Sequence, residues 1–289
     1  VSSSTFTLLP IVSGPSGASG ASGASGASAA LLAGPVVVSI PHAGLDVPAE
    51  DADVLAISGR GLLRDADLHV EKLASGIPAL GVPVVVGQVS RYVLDLNRSP
   101  DDVDADVCPA VERPARSSPR GLCWRTATDG TAVLRRPLTV AEVRSRVQRI
   151  HAPYHDALRA LLAERKARFG HAVLLDLHSM PSRYDSPARR VDVVPGTLDD
   201  TSCAPALLQL VVEHFTAAEL TVRPNDPYKG QYTTAHHGRP VDGVHALQLE
   251  LNRDLYMDER TFALVEHRAA RLRALLVALV TRVGQLPLS

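Results

Sequence analysis

Two short apolar runs that each end on a histidine, and a third that buries a glutamate, constrain this chain more than any other feature. Residues 35–44, PVVVSIPHAG, deliver His42 into a Pro/Gly turn, and residues 172–182, AVLLDLHSMPS, deliver His178 just past Leu174, Leu175 and Leu177. Residues 246–251 read as a buried strand with Glu250 inside it. Helical patterns separate these strand-like runs. Together they predict an α/β fold, a three-layer sandwich whose mixed, largely parallel sheet is flanked by helices. In open sheets of this kind the ligand crevice lies at the carboxyl ends of the strands, where both histidines stand.

Further strands are predicted over residues 82–86, 92–96 and 191–194. Val140, Val143, Val147, Ile150, Tyr154, Leu158 and Leu161 recur at spacings of three and four behind Thr139, which predicts a helix with Thr139 as N-cap. A second long helix is expected over 258–283, capped by Asp258, and a third over 207–215. Residues 1–30 include a Gly-Ala-Ser tract with almost nothing to bury and are expected to be flexible. Residues 31–289 then form a single catalytic α/β domain. The polar stretch 99–139 has the length of a functional cover or a disordered segment, which makes it a candidate lid over the crevice.

Bulk properties exclude several classes. A formal net charge of −1 at 289 residues gives no long-range field, so neither nucleic acid nor an anionic membrane is an expected partner. The cysteines, Cys108, Cys123 and Cys203, form no CxxC pair, and their odd number argues against a disulfide framework. No base stands beside Cys203 to make it a nucleophile. No lysine or arginine precedes Arg60, so the charged start of a secretory signal is missing, and the apolar stretch 29–40 is too short to span a bilayer. A cytoplasmic protein, monomeric or a small homo-oligomer, is the expectation.

The chemistry follows from Glu250. An unpaired charge in an apolar strand costs several kcal/mol, so a carboxylate kept there has a cation or a proton to manage. Two imidazoles and one carboxylate form a hydrolytic zinc set with a position left open for water. His42 and His178 supply the imidazoles. The carboxylate is expected from residues 63–73, LRDADLHVEKL, with Asp67 preferred, although spacing alone does not separate it from Asp65. Glu250 would act as general base, taking a proton from water and handing it to the leaving amine. Asn97 and Arg98, and secondarily Arg91, are placed to grip a substrate carboxylate, because arginine presents a planar fork that matches one. One of His236 and His237 touches substrate on this reading, with His236 preferred. Plainer roles compete: Glu250 as the salt-bridge partner of Arg253 or another basic side chain, Asn97–Arg98 as a strand cap, and His151 and His155, four apart on a helix face at a spacing that can bind metal, as surface or backing residues.

Seven segments occurring in order carry a family resemblance: SIPHAG, DADLHVEKL, SRYVLDLNR, PYHDAL, LLDLHSMPS, GTLDDTSC and HHGRPVDGVHALQLELNRDLYMDE. Through them, residues 36–259 resemble the N-formylglutamate amidohydrolases, or deformylases. The resemblance implies a zinc-carboxypeptidase-like fold, a ligand role for His178, a base role for Glu250 and a carboxylate-binding role for Asn97 and Arg98. It implies hydrolysis of N-formyl-L-glutamate, an N-acyl amino acid, to formate and L-glutamate as a step of histidine degradation. Zinc is the implied cofactor, and cobalt or another divalent ion could replace it. The loop KGQYTTAHHG departs from the family pattern at Gln231, Ala235 and His237, and GTLDDTSC departs at Asp200. These departures leave room for a related zinc deacylase, a carboxypeptidase, or a silent acyl-amino-acid binder.

Overall fold

The computed structural model describes residues 5–10, 34–110, 118–183 and 188–288. The Gly-Ala-Ser tract lies outside the described residues. Six strands form one sheet: β1 (Phe6–Leu8), β2 (Val36–Ile40), β3 (Val84–Gly87), β4 (Ala172–Met180), β5 (Val193–Gly196) and β6 (Val244–Asn252). Their spatial order is β1-β3-β2-β4-β6-β5. The four central strands are parallel, and β1 and β5 close the edges antiparallel. The mixed, largely parallel sheet expected from the sequence is therefore present.

Strand parity divides the apolar residues between two cores. Val36, Val38, Ile40, Val173, Leu175, Leu247 and Leu249 point to one face. Val37, Val85, Leu174 and Ala246 point to the other. On the first face lie α3 (Pro205–Ala217) and α5 (Glu266–Gly284). The latter buries Ala269, Leu272, Leu276, Leu279, Val280 and Val283, one stripe at helical spacing. The second face is covered by α1 (Val140–Arg146), a π-helical turn (Val147–His151) and α2 (Ala152–Phe169). Thr139 caps α1 through a reciprocal capping box with Glu142, as its position predicts. Pro153 lacks an amide hydrogen and crowds the carbonyl four residues earlier. The wider turn just before it accommodates that crowding and turns both His151 and His155 inward.

Two expected elements differ. Residues 92–96 are a series of turns rather than a strand. The long C-terminal helix begins at Glu266 rather than at 258. Asp258 instead accepts from the amides of Arg260 and Thr261, closing a turn between β7 (Met257–Asp258) and β8 (Ala263–Leu264). A short acidic side chain satisfies a turn as readily as a helix start, and Phe262, with φ 63°, breaks any helix there. Among the described residues no helix is long and apolar enough to cross a membrane.

Candidate metal centre and active site

The parity that sends Leu174 and Ala246 under α2 places Asp176, His178, Gln248 and Glu250 on the same face nearer the carboxyl ends. There the helix layer gives way to a cavity. In register, Ser39, Asp176 and Gln248 form one polar rung, and His178 and Glu250 form the next. Adjacent strands lie about 4.8 Å apart, so His178 and Glu250 are side by side.

His42 stands in the turn after β2. Gly44 follows, at a position where a Cβ would lie 2.1 Å from the Gln88 carbonyl, so only glycine lets this turn pack so closely. His42 Nε2–H donates to Asp95 Oδ1 at 2.7 Å, and His178 Nε2–H donates to Asp176 Oδ2 at 2.9 Å. These carboxylates fix both tautomers and leave both Nδ1 lone pairs facing inward, 3.2 Å apart. Asp67 Oδ2 lies 3.1 Å from His178 Nδ1 and 3.5 Å from His42 Nδ1. Three donor atoms this close repel one another unless a proton or a metal ion lies between them. A tetrahedral ion with bonds of about 2.0–2.1 Å holds its ligand atoms about 3.3 Å apart, which is the spacing found. All three residues are buried, and they are the group among the described residues whose donor atoms converge in this way.

The electrostatics agree. Burial works against a charged His178, but Asp176, Asp67 and Glu250 hold its imidazole well above the usual range. Burial would raise the Asp67 carboxyl, yet His178 and His42 hold it well below normal. The field of this pocket favours positive charge between the ligands.

The surroundings of each of these three residues are themselves held. Asp176 Oδ1 accepts from Ser39 at 2.6 Å, and the Tyr154 hydroxyl backs Ser39 at 2.8 Å. Asp95 also receives Arg91, at 2.7 Å, and the Trp124 indole, at 3.0 Å. Partners of this kind orient histidine ligands and raise their basicity. The Asp67 loop is fastened by Arg253, which donates to the carbonyls of Arg64 and Ala66 and lies 3.5 Å from Asp67 Oδ1. Ser179 adds a hydroxyl bond to the same oxygen at 3.0 Å. Arg253 thus serves Asp67 and is not in a salt bridge with Glu250.

Asp65 and Asp67, inseparable by spacing, face different partners. Asp65 accepts from Tyr92, at 2.7 Å, and from the amide and hydroxyl of Thr128, so it ties down the long loop. Asp67 faces the histidines. His69 adopts φ 67° just beyond and turns its ring to the Phe262 carbonyl.

Glu250 borders the same cavity, of about 340 Å³, with Arg98, Arg91, Trp124, Tyr228 and Gln231 in its wall. That volume suits a small ligand. Burial pushes the Glu250 carboxyl up to about 7, against the pull of His178. Its Oε1 accepts from Gln248 at 2.9 Å, and Gln248 in turn accepts from Asn97 at 3.1 Å. Asn97 is thereby engaged on both sides, since its carbonyl oxygen accepts the Thr233 amide at 2.8 Å. The Arg91 fork is taken by Asp95 and its plane lies 4.5 Å over Trp124. Arg98 reaches Gln231 Oε1 at 3.1 Å, and its charge acts on Asp95 and Asp102 without a close ion pair to either.

The stretch 99–139 supplies Arg120, Trp124 and Thr128 to the cavity wall, so its described part does lie against the crevice. His236 is not among the lining residues; it sits on α4 (Tyr232–His237), stacked on Tyr232 at 4.9 Å. Cys203 is a core residue whose thiol burial pushes up to about 12. Sequence reasoning missed Asp95, Asp176 and Gln248, and placed Arg253 only as a partner for Glu250. For Asp176 and Gln248 a signal existed, since each stands two residues before a candidate residue and shares its face.

Residues 34–257 match the family model of the N-formylglutamate amidohydrolases. The chain belongs to that family. It is 36% identical over 260 residues to an N-formylglutamate deformylase of Pseudomonas aeruginosa, covering 85% of this chain and 92% of that protein. An N-formylglutamate deformylase of Pseudomonas putida is 34% identical over 78% of this chain and 82% of its own length. The crystal structure of an N-formylglutamate amidohydrolase from Ralstonia eutropha superposes with a TM-score of 0.82 at 32% identity, over 98% of each chain. The fold and the site residues described above therefore sit in an amidohydrolase framework along nearly the whole chain.

Proposed function

We propose that this protein hydrolyses N-formyl-L-glutamate to formate and L-glutamate, using a divalent ion, zinc before cobalt, held by His42, Asp67 and His178. One observation carries the reading: three ligand atoms at tetrahedral spacing beside a buried glutamate, in a chain of this family. Bound there, a zinc-type ion supplies Lewis acidity, which brings the ionisation of water to about pH 7 and polarises a carbonyl. Glu250 takes the proton of the attacking water as its oxygen bonds to the formyl carbon. The C–N bond then breaks, and Glu250 returns that proton to the leaving nitrogen. The chain Asn97–Gln248–Glu250 keeps the carboxylate oxygen aimed into the cavity. Arg98 receives a substrate carboxylate, and Trp124 and Arg91 wall the reacting bond from solvent.

The test is formate release from purified protein given N-formyl-L-glutamate, with N-formyl-L-aspartate and N-acetyl-L-glutamate in parallel. Release that favours the formylglutamate supports the reading. A second reading, a related deacylase for another N-acyl amino acid, is favoured by the Gln231 contact that occupies one arm of Arg98. Preference for another substrate in the same comparison would select it.

Arg98→Ala is expected to raise KM by about 10- to 100-fold with a smaller change in kcat, because a hydrogen-bonded charge pair is worth about 1.5–3 kcal/mol. An unchanged KM would remove Arg98 from substrate binding. The pH profile has a definite sign. A base works only when ionised, and burial lifts Glu250 to about 7. Activity should therefore fall as pH drops through that value, or somewhat lower with a cation nearby, along a one-proton limb in kcat/KM. A flat profile between about pH 5 and about pH 8 would contradict the assignment.

A further inference from the structure

Residues 96–98 are gripped from behind by the helix layer. His155 Nε2–H donates to the Leu96 carbonyl at 2.8 Å, and His151 Nε2–H donates to the Arg98 carbonyl at 2.9 Å. Both rings are buried. They stand one helical turn apart and hold carbonyls two residues apart, with Asn97 between them. His237 completes the arrangement by donating from Nε2 to His155 Nδ1 at 3.1 Å, and Tyr232 packs 5.3 and 5.1 Å from the two rings. Burial drives His155 down to about 2 and His237 down to about 3, so both rings are neutral and each keeps a single defined N–H. Leu96, Asn97 and Arg98 lie in turns with no strand ladder to fix them. The orientation of this tripeptide is set by these side-chain donors, the Thr233 amide, the Asp95 carboxylate that accepts the Asn97 amide at 2.9 Å, and the Asp95 carbonyl that accepts the Arg98 amide at 3.2 Å.

We infer that His151 and His155 are positioning residues for substrate binding: through two main-chain carbonyls they set the direction from which Arg98 meets a substrate carboxylate and hold Asn97 against Gln248. The inference rests on the reading of Arg98 given above. Neither imidazole lines the cavity, so any effect on the reaction must pass through residues 96–98. A buried histidine that served packing alone would be replaceable by any ring of similar size. One that serves by donating is replaceable only by another donor of the same reach.

The experiment compares His155→Phe and His151→Phe with His155→Gln and His151→Gln, using Arg98→Ala as benchmark. Glutamine places its amide N–H close to the Nε2 position, whereas phenylalanine fills the space without a donor. KM and kcat for N-formyl-L-glutamate are measured on zinc-loaded enzyme, with zinc content as a check that the metal centre is intact. Each phenylalanine variant should raise KM by about tenfold with kcat within about threefold of wild type, and each glutamine variant should restore KM to within about threefold. If a phenylalanine variant does not accumulate, the asparagine variants serve instead, since their shorter amide falls short of the carbonyl. Variants of both kinds with wild-type KM would overturn the inference, as would equal losses with and without a donor. An Arg98→Ala enzyme with unchanged KM would instead overturn the reading on which it rests, whatever the histidine variants do.

Discussion

Glu250→Gln is expected to lower formate release by about 10²–10⁴-fold while leaving zinc bound, the range lost when a positioned general base is removed. The substitution is nearly isosteric. Its carbonyl oxygen can still accept from Gln248, as Glu250 Oε1 does at 2.9 Å, so the local structure has no reason to change. Glu250 is also outside the converging donor set, which is made of His42, Asp67 and His178. What disappears is the capacity to accept and return a proton. The acid limb of the pH profile should disappear with it, because that limb belongs to the carboxyl that burial lifts to about 7. A Glu250→Gln enzyme with near-normal turnover would show that another group carries the proton. A variant that loses zinc as well would show that Glu250 is part of the metal centre.

The second large effect separates two aspartates. Asp67→Asn keeps the shape of the side chain and an oxygen to accept from Ser179, but removes the anionic oxygen 3.1 Å from His178 Nδ1. Zinc affinity should fall by at least about 100-fold, more than the roughly 10–100-fold lost when a residue behind a ligand is changed. Formate release should fall in proportion to the zinc lost and recover partly at high added zinc. Asp65→Asn should leave zinc in place, because Asp65 is spent on Tyr92 and Thr128. Its cost should appear in thermal stability, through the loosened stretch that bears Trp124. Zinc content of the two purified variants decides the matter. Zinc lost from Asp65→Asn and kept by Asp67→Asn would reverse the assignment.

The sequence made part of this site legible and hid part of it for physical reasons. A polar residue at the end of an apolar strand is conspicuous, because burial there is costly, and that cost pointed to His42, His178 and Glu250. Asp65 and Asp67 were indistinguishable because a loop has no periodicity; the difference arises from Arg253, nearly two hundred residues away, holding the carbonyls on either side of Asp65. Asp95 is hidden because a strand over residues 92–96 gives its side chain no partner. In the folded protein these residues are turns, and Asp95 is the acceptor on which His42, Arg91, Trp124 and the Asn97 amide converge. The late start of the C-terminal helix has a similar cause, since Asp258 caps a turn with the same chemistry that caps a helix.

The histidine pair His151 and His155 shows how a correct pattern can carry an incomplete meaning. The spacing of His151 and His155 admits a metal site, yet both rings donate to carbonyls and neither joins the converging donor set. Only the turn that places residues 96–98 against them gives the pair its role, and that turn is a tertiary feature.

Metal-dependent deformylation at His42, Asp67 and His178 is decided by formate release from N-formyl-L-glutamate as zinc is returned to chelator-treated protein. Trp124, the single tryptophan of the chain, lines the cavity and reports the state of the site in the same samples. Metal-free protein should release no formate, and activity should recover linearly and level off at one zinc per chain. Full activity in protein shown to be free of metal would contradict the assignment.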